Sequence, residues 1–215
     1  MTRLVFVRHG ESTGNIQSRF YGHYDGGLTE KGRAQAEMAA EHLKNWHFDA
    51  AYASDLARAY ETGRTILKYH PGLELVPDAR LREISAGEWE NVPFAELTVK
   101  YREEYHVWMT DLYRARPVGG ESIAELCVRV RDAAWDIARR HSGQIVLIAS
   151  HATPIRTLQC EWQGVPYEDI QHIKWVQNAS VSVADYDTEN MTVDLKVLGD
   201  ASFQGDMATA IPTDV

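Results

Sequence analysis

Two periods of apolar residues alternate along the chain, and the switches between them divide it into strands and helices. The run LVFV at residues 4–7 is apolar at every position, as a strand covered on both faces requires, and residues 3–7 are read as that strand. Helical spacing follows in LTEKGRAQAEMAAEHLKNW, with Thr29 placed to cap its first turn. Residues 49–53 form a short second strand and SDLARAYETGRTILKYH a second helix capped by Ser54 or Asp55, with LELVP after it. QIVLIAS is another apolar run, followed by a helix opened by Thr153 with Pro154 in its first turn. Residues 179–186 and 191–198 read as the arms of a hairpin around DTEN.

Between residues 81 and 121 this alternation fails. A helix is expected from near Pro93 and a loop at RARPVGGES, after which Ser122 and Glu125 have the spacing of a capping box for SIAELCVRVRDAAWDIARRH. The stretch from about 84 to 121 therefore reads as an insertion across one end of a sheet. Strand–helix alternation elsewhere predicts an α/β fold. Without internal repeats or a Pro/Ser-rich linker, residues 1–200 are read as one domain, and 201–215 as a mobile tail.

Charge narrows the function classes. The 215 residues hold 22 Lys plus Arg against 31 Asp plus Glu, and a net charge of -9 argues against nucleic acid or an anionic membrane as main partner. A small anion is still admitted, because a cleft can be locally cationic. Cys127 and Cys160 both lie in apolar helical contexts, which predicts buried free thiols and fits a cytoplasmic protein. No basic-then-apolar leader pattern is seen, and no apolar run approaches the ~20 residues of a membrane span. His23, His42, His47, His70, His106, His141 and His172 form no compact ligand motif with carboxylates, so neither a metal nor another cofactor is expected. Trp89, Trp108, Trp135, Trp162 and Trp175 read as packing residues.

Chemistry enters at the strand ends. Arg8, His9, Gly10 and Glu11 follow the first strand, Ser54 to Arg58 follow the second at a helix start, and Ser150 and His151 precede a third helix start. Open α/β sheets bind ligands beyond the carboxyl ends of their strands. Guanidinium forks together with helix N-termini describe an oxyanion pocket there, and Gly10 is expected to let backbone approach the anion. Each feature alone has an ordinary reading: a surface turn for Arg8–His9, a solvated Arg58 beside Glu61, a surface Glu83 paired to Arg80 or Arg82.

Taken together, RHGES with Asn15, YASDLARAYET, LREISAGEWE, PVGGES and ASHATPIR stand in the order seen in the histidine phosphatase superfamily, which includes the phosphoglycerate mutases. The chain resembles that family from about residue 4 to residue 157. The resemblance implies a three-layer sandwich with a mainly parallel central sheet, helices on both faces and a short, mostly helical insertion over the active site. It also implies that His9 is a nucleophile forming a phosphohistidine, that Arg8, Arg58 and His151 surround the phosphoryl oxygens with Asn15 as a neutral donor, and that Glu83 acts as acid and then base. Substrate contacts are expected from Ser12, Tyr21, Gly22, His23 and Ala152, and from Arg114, Arg116, Glu121 and Ser122 at the mouth.

Within the family, Glu83 is followed by ISAGEWE and not by the Arg-His-Tyr-Gly of mutases, and the insertion is short, so the resemblance is to the phosphatase branch. Asn91 and Ala152 stand where that branch usually has Gly, which bears on substrate fit. The expected activity is metal-independent hydrolysis of a small phosphorylated metabolite: a sugar phosphate, a glycerate, a nucleoside-type phosphate such as α-ribazole phosphate, or a phosphoamino acid. The alternatives are a mutase-type phosphotransferase, an idle phospho-ligand binder, and a metal-dependent phosphoesterase. A homodimer is compatible with the sequence.

Overall fold

A computed structural model describes residues 1–209 of the chain. In chain order the elements are β1 (Thr2–Arg8), α1 (Thr13–Gln17), α2 (Glu30–Leu43), β2 (Ala50–Ala53), α3 (Ala57–Leu67), β3 (Leu75–Pro77), α4 (Phe94–Lys100), α5 (Arg102–Thr110), α6 (Ile123–Arg140), β4 (Ile145–Ser150), α7 (Ala152–Gln163), β5 (Val181–Asp187) and β6 (Thr192–Asp200). The six strands form one sheet in the order β3-β2-β4-β1-β5-β6. β3, β2, β4 and β1 pair in parallel, while β5 and β6 close one edge antiparallel.

β1 shows why its sequence lacks alternation. Successive strand side chains point to opposite faces. Leu4 and Phe6 join a core with Val130 and Ala134 of α6 and Ile155 and Leu158 of α7, whereas Val5 and Val7 join Ala40 and Leu43 of α2 and Ile66 of α3. The three layers expected of the family follow from that double burial.

Local differences from the sequence reading have identifiable causes. Neither Ser54 nor Asp55 caps α3: its N-cap is Leu56, and the carboxylate of distant Asp25 accepts from the Ala57 N–H. Asp55 pairs with Arg82, and the Ser54 hydroxyl faces His151. α7 starts at Ala152 with His151 as N-cap, which leaves Pro154 at the third helical position, where no intrahelical N–H bond is lost. Thr29 caps α2 by accepting from the Gly32 N–H at 2.9 Å, and Ser122 and Glu125 form the capping box of α6.

The expected mobile tail is packed as far as it is described. Residues Ser202–Met207 form a 3₁₀ segment in which Phe203 stacks on His42 at 4.3 Å and Gln204 is buried. Residues 210–215 lie outside the described residues. Gln35 of α2 donates to the Met207 carbonyl at 2.7 Å and to Thr209 Oγ1 at 2.8 Å, while its Oε1 accepts from the Glu11 N–H at 2.8 Å. Gln204 donates to the Asn178 carbonyl, and Asn178 donates to the His9 carbonyl at 3.1 Å. Three amide side chains, Gln35, Gln204 and Asn178, thus tie this segment to the loop after β1.

Candidate active site

Arg8 and Ser150 are register partners in the sheet, so the loops after β1 and β4 leave it side by side. β2 flanks β4 on the other side, and the His9 N–H donates to the Ser150 carbonyl at 2.9 Å. Arg8, His9, Asn15, Arg58 and Glu83 line one cavity of about 330 Å³ together with Ser12, Tyr21 and Ala152. His151 packs against it, its ring centroid 5.1 Å from that of His9 in an edge-to-face arrangement.

His9 is 4% exposed, and its Nδ1 lies 2.7 Å from the Gly10 carbonyl. A carbonyl can only accept, so Nδ1 carries the proton, which leaves the Nε2 lone pair as the nucleophilic one. Burial, followed by the charges of Arg58 and Arg8, holds the His9 pKa well below its ordinary value of about 6.5. His151 is likewise depressed by burial and then by Arg58. Its Nε2 lies 2.8 Å from Ser54 Oγ, an oxygen that already accepts from the Leu56 N–H and has its own hydrogen to donate. The tautomer assigned from that network leaves Nδ1–H as a donor.

Arg58 is 1% exposed and is aimed by backbone, donating to the carbonyls of Gly22 at 2.7 Å and Tyr24 at 3.1 Å. Those carbonyls are themselves held by Glu90, whose carboxylate accepts from the N–H groups of Gly22, His23, Tyr24 and Ala86. Arg8 donates to the Val176 carbonyl at 2.6 Å; burial lowers its pKa to about 10, against the opposing charge of Glu83. Arg8 Nε and His151 Nδ1 are both buried with no hydrogen-bond partner among the described residues. Buried polar atoms of this kind are rare in native proteins unless something else satisfies them. Both atoms are donors, and what they lack is an acceptor of the kind an oxyanion carries.

Glu83 is 7% exposed; its Oε1 accepts from its neighbour Ile84 N–H at 2.9 Å and its Oε2 from the Thr153 N–H at 3.3 Å. Arg80 pairs with Asp78 and Asp136 and Arg82 with Asp55, so the basic residues beside Glu83 in sequence are engaged elsewhere. Glu61, the suspected partner of Arg58, pairs with Arg33.

Several expectations about substrate contacts need correction. Arg114 pairs with Asp111 and is well exposed, Arg116 pairs with Glu125, and Ser122 is the α6 cap; none of these lines the cavity. Glu121 lies behind it: it pairs with Arg129, whose guanidinium donates to the carbonyls of Arg80, Arg82 and Glu83 and fixes that segment. Gly22 and His23 act from behind as well, Gly22 through the carbonyl that aims Arg58 and His23 by donating from Nε2 to the Glu83 carbonyl at 3.0 Å. Gly10 serves packing, not anion approach, because a Cβ there would lie 2.2 Å from the Gly32 carbonyl oxygen. Asn15 turns its Oδ1 to the N–H and hydroxyl of Ser12, at 2.9 and 3.0 Å, which frees its NH₂ for a ligand. Asn91 has φ 60°, in the left-handed region that favours glycine and next tolerates asparagine, so its departure from the family's usual Gly preserves the turn.

Ser18, Arg19 and Phe20 also line the cavity, and its walls not singled out from the sequence are Ile84, Phe94, Trp108, Thr153 and Trp175. Ser18, Arg19 and Phe20 directly precede Tyr21, Gly22 and His23 in the chain, whereas no periodic signal points at Phe94, Trp108 or Trp175.

The depressed histidines have a measurable consequence. Below about pH 6.5 the unfolded chain binds protons that native His9 and His151 refuse, so both destabilise the fold as pH falls. The thermal midpoint is expected to drop from pH 7 to pH 5, and to drop less in a His151→Asn variant; equal slopes would contradict burial of a neutral His151.

A buried imidazole with a free Nε2 lone pair and two guanidinium groups thus meet a carboxyl group in one cavity at the end of the sheet, the residue set that the resemblance to the histidine phosphatases implies. The chain belongs to the histidine phosphatase superfamily (branch 1), whose family profile matches residues 4–198. It is 34% identical over 165 residues to phosphoserine phosphatase 1 of Hydrogenobacter thermophilus, covering 77% of this chain and 78% of that protein. It is also 34% identical to the 2,3-bisphosphoglycerate-dependent phosphoglycerate mutase 2 of Gloeobacter violaceus, covering 81% of each. Among solved structures, Bacillus stearothermophilus YhfR superposes with a TM-score of 0.89 at 29% identity, over 94% of this chain and 99% of that one.

Proposed function

We propose that the protein hydrolyses phosphate monoesters of small metabolites through a phosphohistidine on His9. The observation that carries this is the convergence on one cavity of His9, whose Nε2 lone pair is free, with Arg8, Arg58 and Glu83. His9 Nε2 attacks phosphorus in line, and the bond to the leaving oxygen breaks as Glu83 gives that oxygen a proton. Charge spreading over the equatorial oxygens meets Arg8, Arg58 and His151. Water then attacks the phosphohistidine, giving its proton to Glu83, and the P–N bond breaks to return His9 and release inorganic phosphate. The intact His9–Glu83 pair argues against an idle binder, and the phosphatase-type sequence after Glu83 argues against a mutase. Among the described residues no helix is long and apolar enough to cross a membrane, and the buried thiols of Cys127 and Cys160 suit the cytoplasm, where we place the protein.

The test offers a phosphate monoester with 3-phosphoglycerate present as acceptor. Inorganic phosphate is expected to appear one for one with the freed alcohol, with inhibition by vanadate, which adopts the trigonal-bipyramidal shape of the transition state. Transfer to the glycerate without inorganic phosphate would establish the mutase instead.

A further inference from the structure

We propose that the leaving group of the physiological substrate carries an apolar, aromatic-sized body and no ammonium group. This rests on the phosphatase reading above and concerns the half of the cavity that the phosphoryl group does not fill.

Beyond Arg8, His9 and Arg58, the cavity is walled by Phe20, Ile84, Phe94, Trp108 and Trp175, which come from separate stretches of the chain. The aromatic walls pack on one another. Phe20 packs edge-to-face on Trp108 at 5.0 Å and on Phe94 at 6.0 Å, and Trp89 backs both Phe20 and Trp108 at 5.5 and 5.9 Å. Across the cavity the Trp175 ring lies 4.1 Å from the Arg156 guanidinium, which is itself fixed by the carbonyls of Ile173 at 2.8 Å and Gln171 at 3.0 Å. A preformed aromatic wall binds flat apolar groups with little ordering cost.

The charges present sharpen the choice. Glu83 is the one carboxylate among the described residues that line the cavity, and in the first step it must hold a proton for the leaving oxygen, so it cannot also pair with an ammonium. An ammonium would instead face the Arg8 and Arg58 cations. The remaining cation, Arg19, is oriented by the carbonyl and side-chain oxygens of Asn91, which take its Nη1, and it repels an ammonium as Arg8 and Arg58 do. The ammonium of a leaving group such as that of phosphoserine would lose hydration against these walls with no free carboxylate to pair with.

The decisive comparison uses alkyl esters, so that every leaving group is an alkoxide. Phenethyl phosphate is expected to be hydrolysed with a kcat/KM about tenfold or more above the values for O-phosphoserine and glycerol phosphate, the scale set by burying an aryl group in place of a polar one. Phe94→Ala, at a half-buried position, should shrink that ratio by about tenfold. Phosphoserine or glycerol phosphate turning over as well as the phenethyl ester in the wild type would overturn the proposal while leaving the phosphatase reading intact. An undiminished ratio in a folded Phe94→Ala variant would remove Phe94 from the leaving-group wall and overturn the assignment. If no monoester is hydrolysed, the phosphatase reading falls and takes this one with it. The wild-type ranking decides even if the variant fails to fold.

Discussion

Replacing His9 with alanine is expected to lower kcat by on the order of 10⁶-fold, the scale seen when a covalent nucleophile is deleted. Proton placement is the reason: Nδ1 is committed to the Gly10 carbonyl, and Nε2 is unprotonated because burial and two guanidinium charges oppose its taking a proton. The Ser12 hydroxyl lines the same cavity but donates to Asn15 Oδ1, so it is no substitute. Arg8 and Arg58 remain in the variant. Inorganic phosphate or vanadate should therefore still raise its thermal midpoint, which separates a chemical defect from an unfolded chain. Turnover within tenfold of wild type would rule out His9 as the nucleophile.

Glu83→Gln is expected to cost alkyl esters roughly 10²- to 10⁴-fold, the range for loss of a general acid, and aryl esters much less in the first step. Glutamine keeps the shorter of the two backbone bonds, its carbonyl oxygen accepting from the Ile84 N–H, while its NH₂ replaces the oxygen that accepts from the Thr153 N–H at 3.3 Å; an unchanged thermal midpoint checks that the variant is folded. A nitrophenolate leaves without a proton, but the water of the second step still needs a base. With nitrophenyl phosphate the first step should then outrun the second and give a burst of one nitrophenol per site followed by slow turnover. Equal losses for both ester types, without a burst, would show that another carboxylate is the acid.

Most of the proposed site was legible in the sequence because Arg8, His9, Arg58 and His151 each end or closely follow an apolar run or open a helix, whereas Glu83 was reached only through the family's motif. Arg8–His9, Arg58 and Ser150–His151 converge because β1, β2 and β4 are parallel neighbours, and that arrangement is what strand–helix alternation predicts. The leaving-group wall was not legible. Phe20, Phe94, Trp108 and Trp175 share no period, and only tertiary packing brings them together. For the same reason Arg114, Arg116 and Ser122 were misplaced: charged residues beside a motif look available in a sequence, whereas the structure engages each in an ion pair or a cap away from the cavity. The cap of α3 is supplied by Asp25, 32 positions away, a distance over which no local capping rule operates.

Trapping the covalent intermediate tests the central claim most directly. Labelled monoester is mixed with the Glu83→Gln variant, quenched within the burst, and the chain is digested and mapped. One acid-labile, base-stable phosphate per chain on His9 is the predicted result. Label on a serine, or release of alcohol through a full burst with no phosphate on the protein, would contradict it.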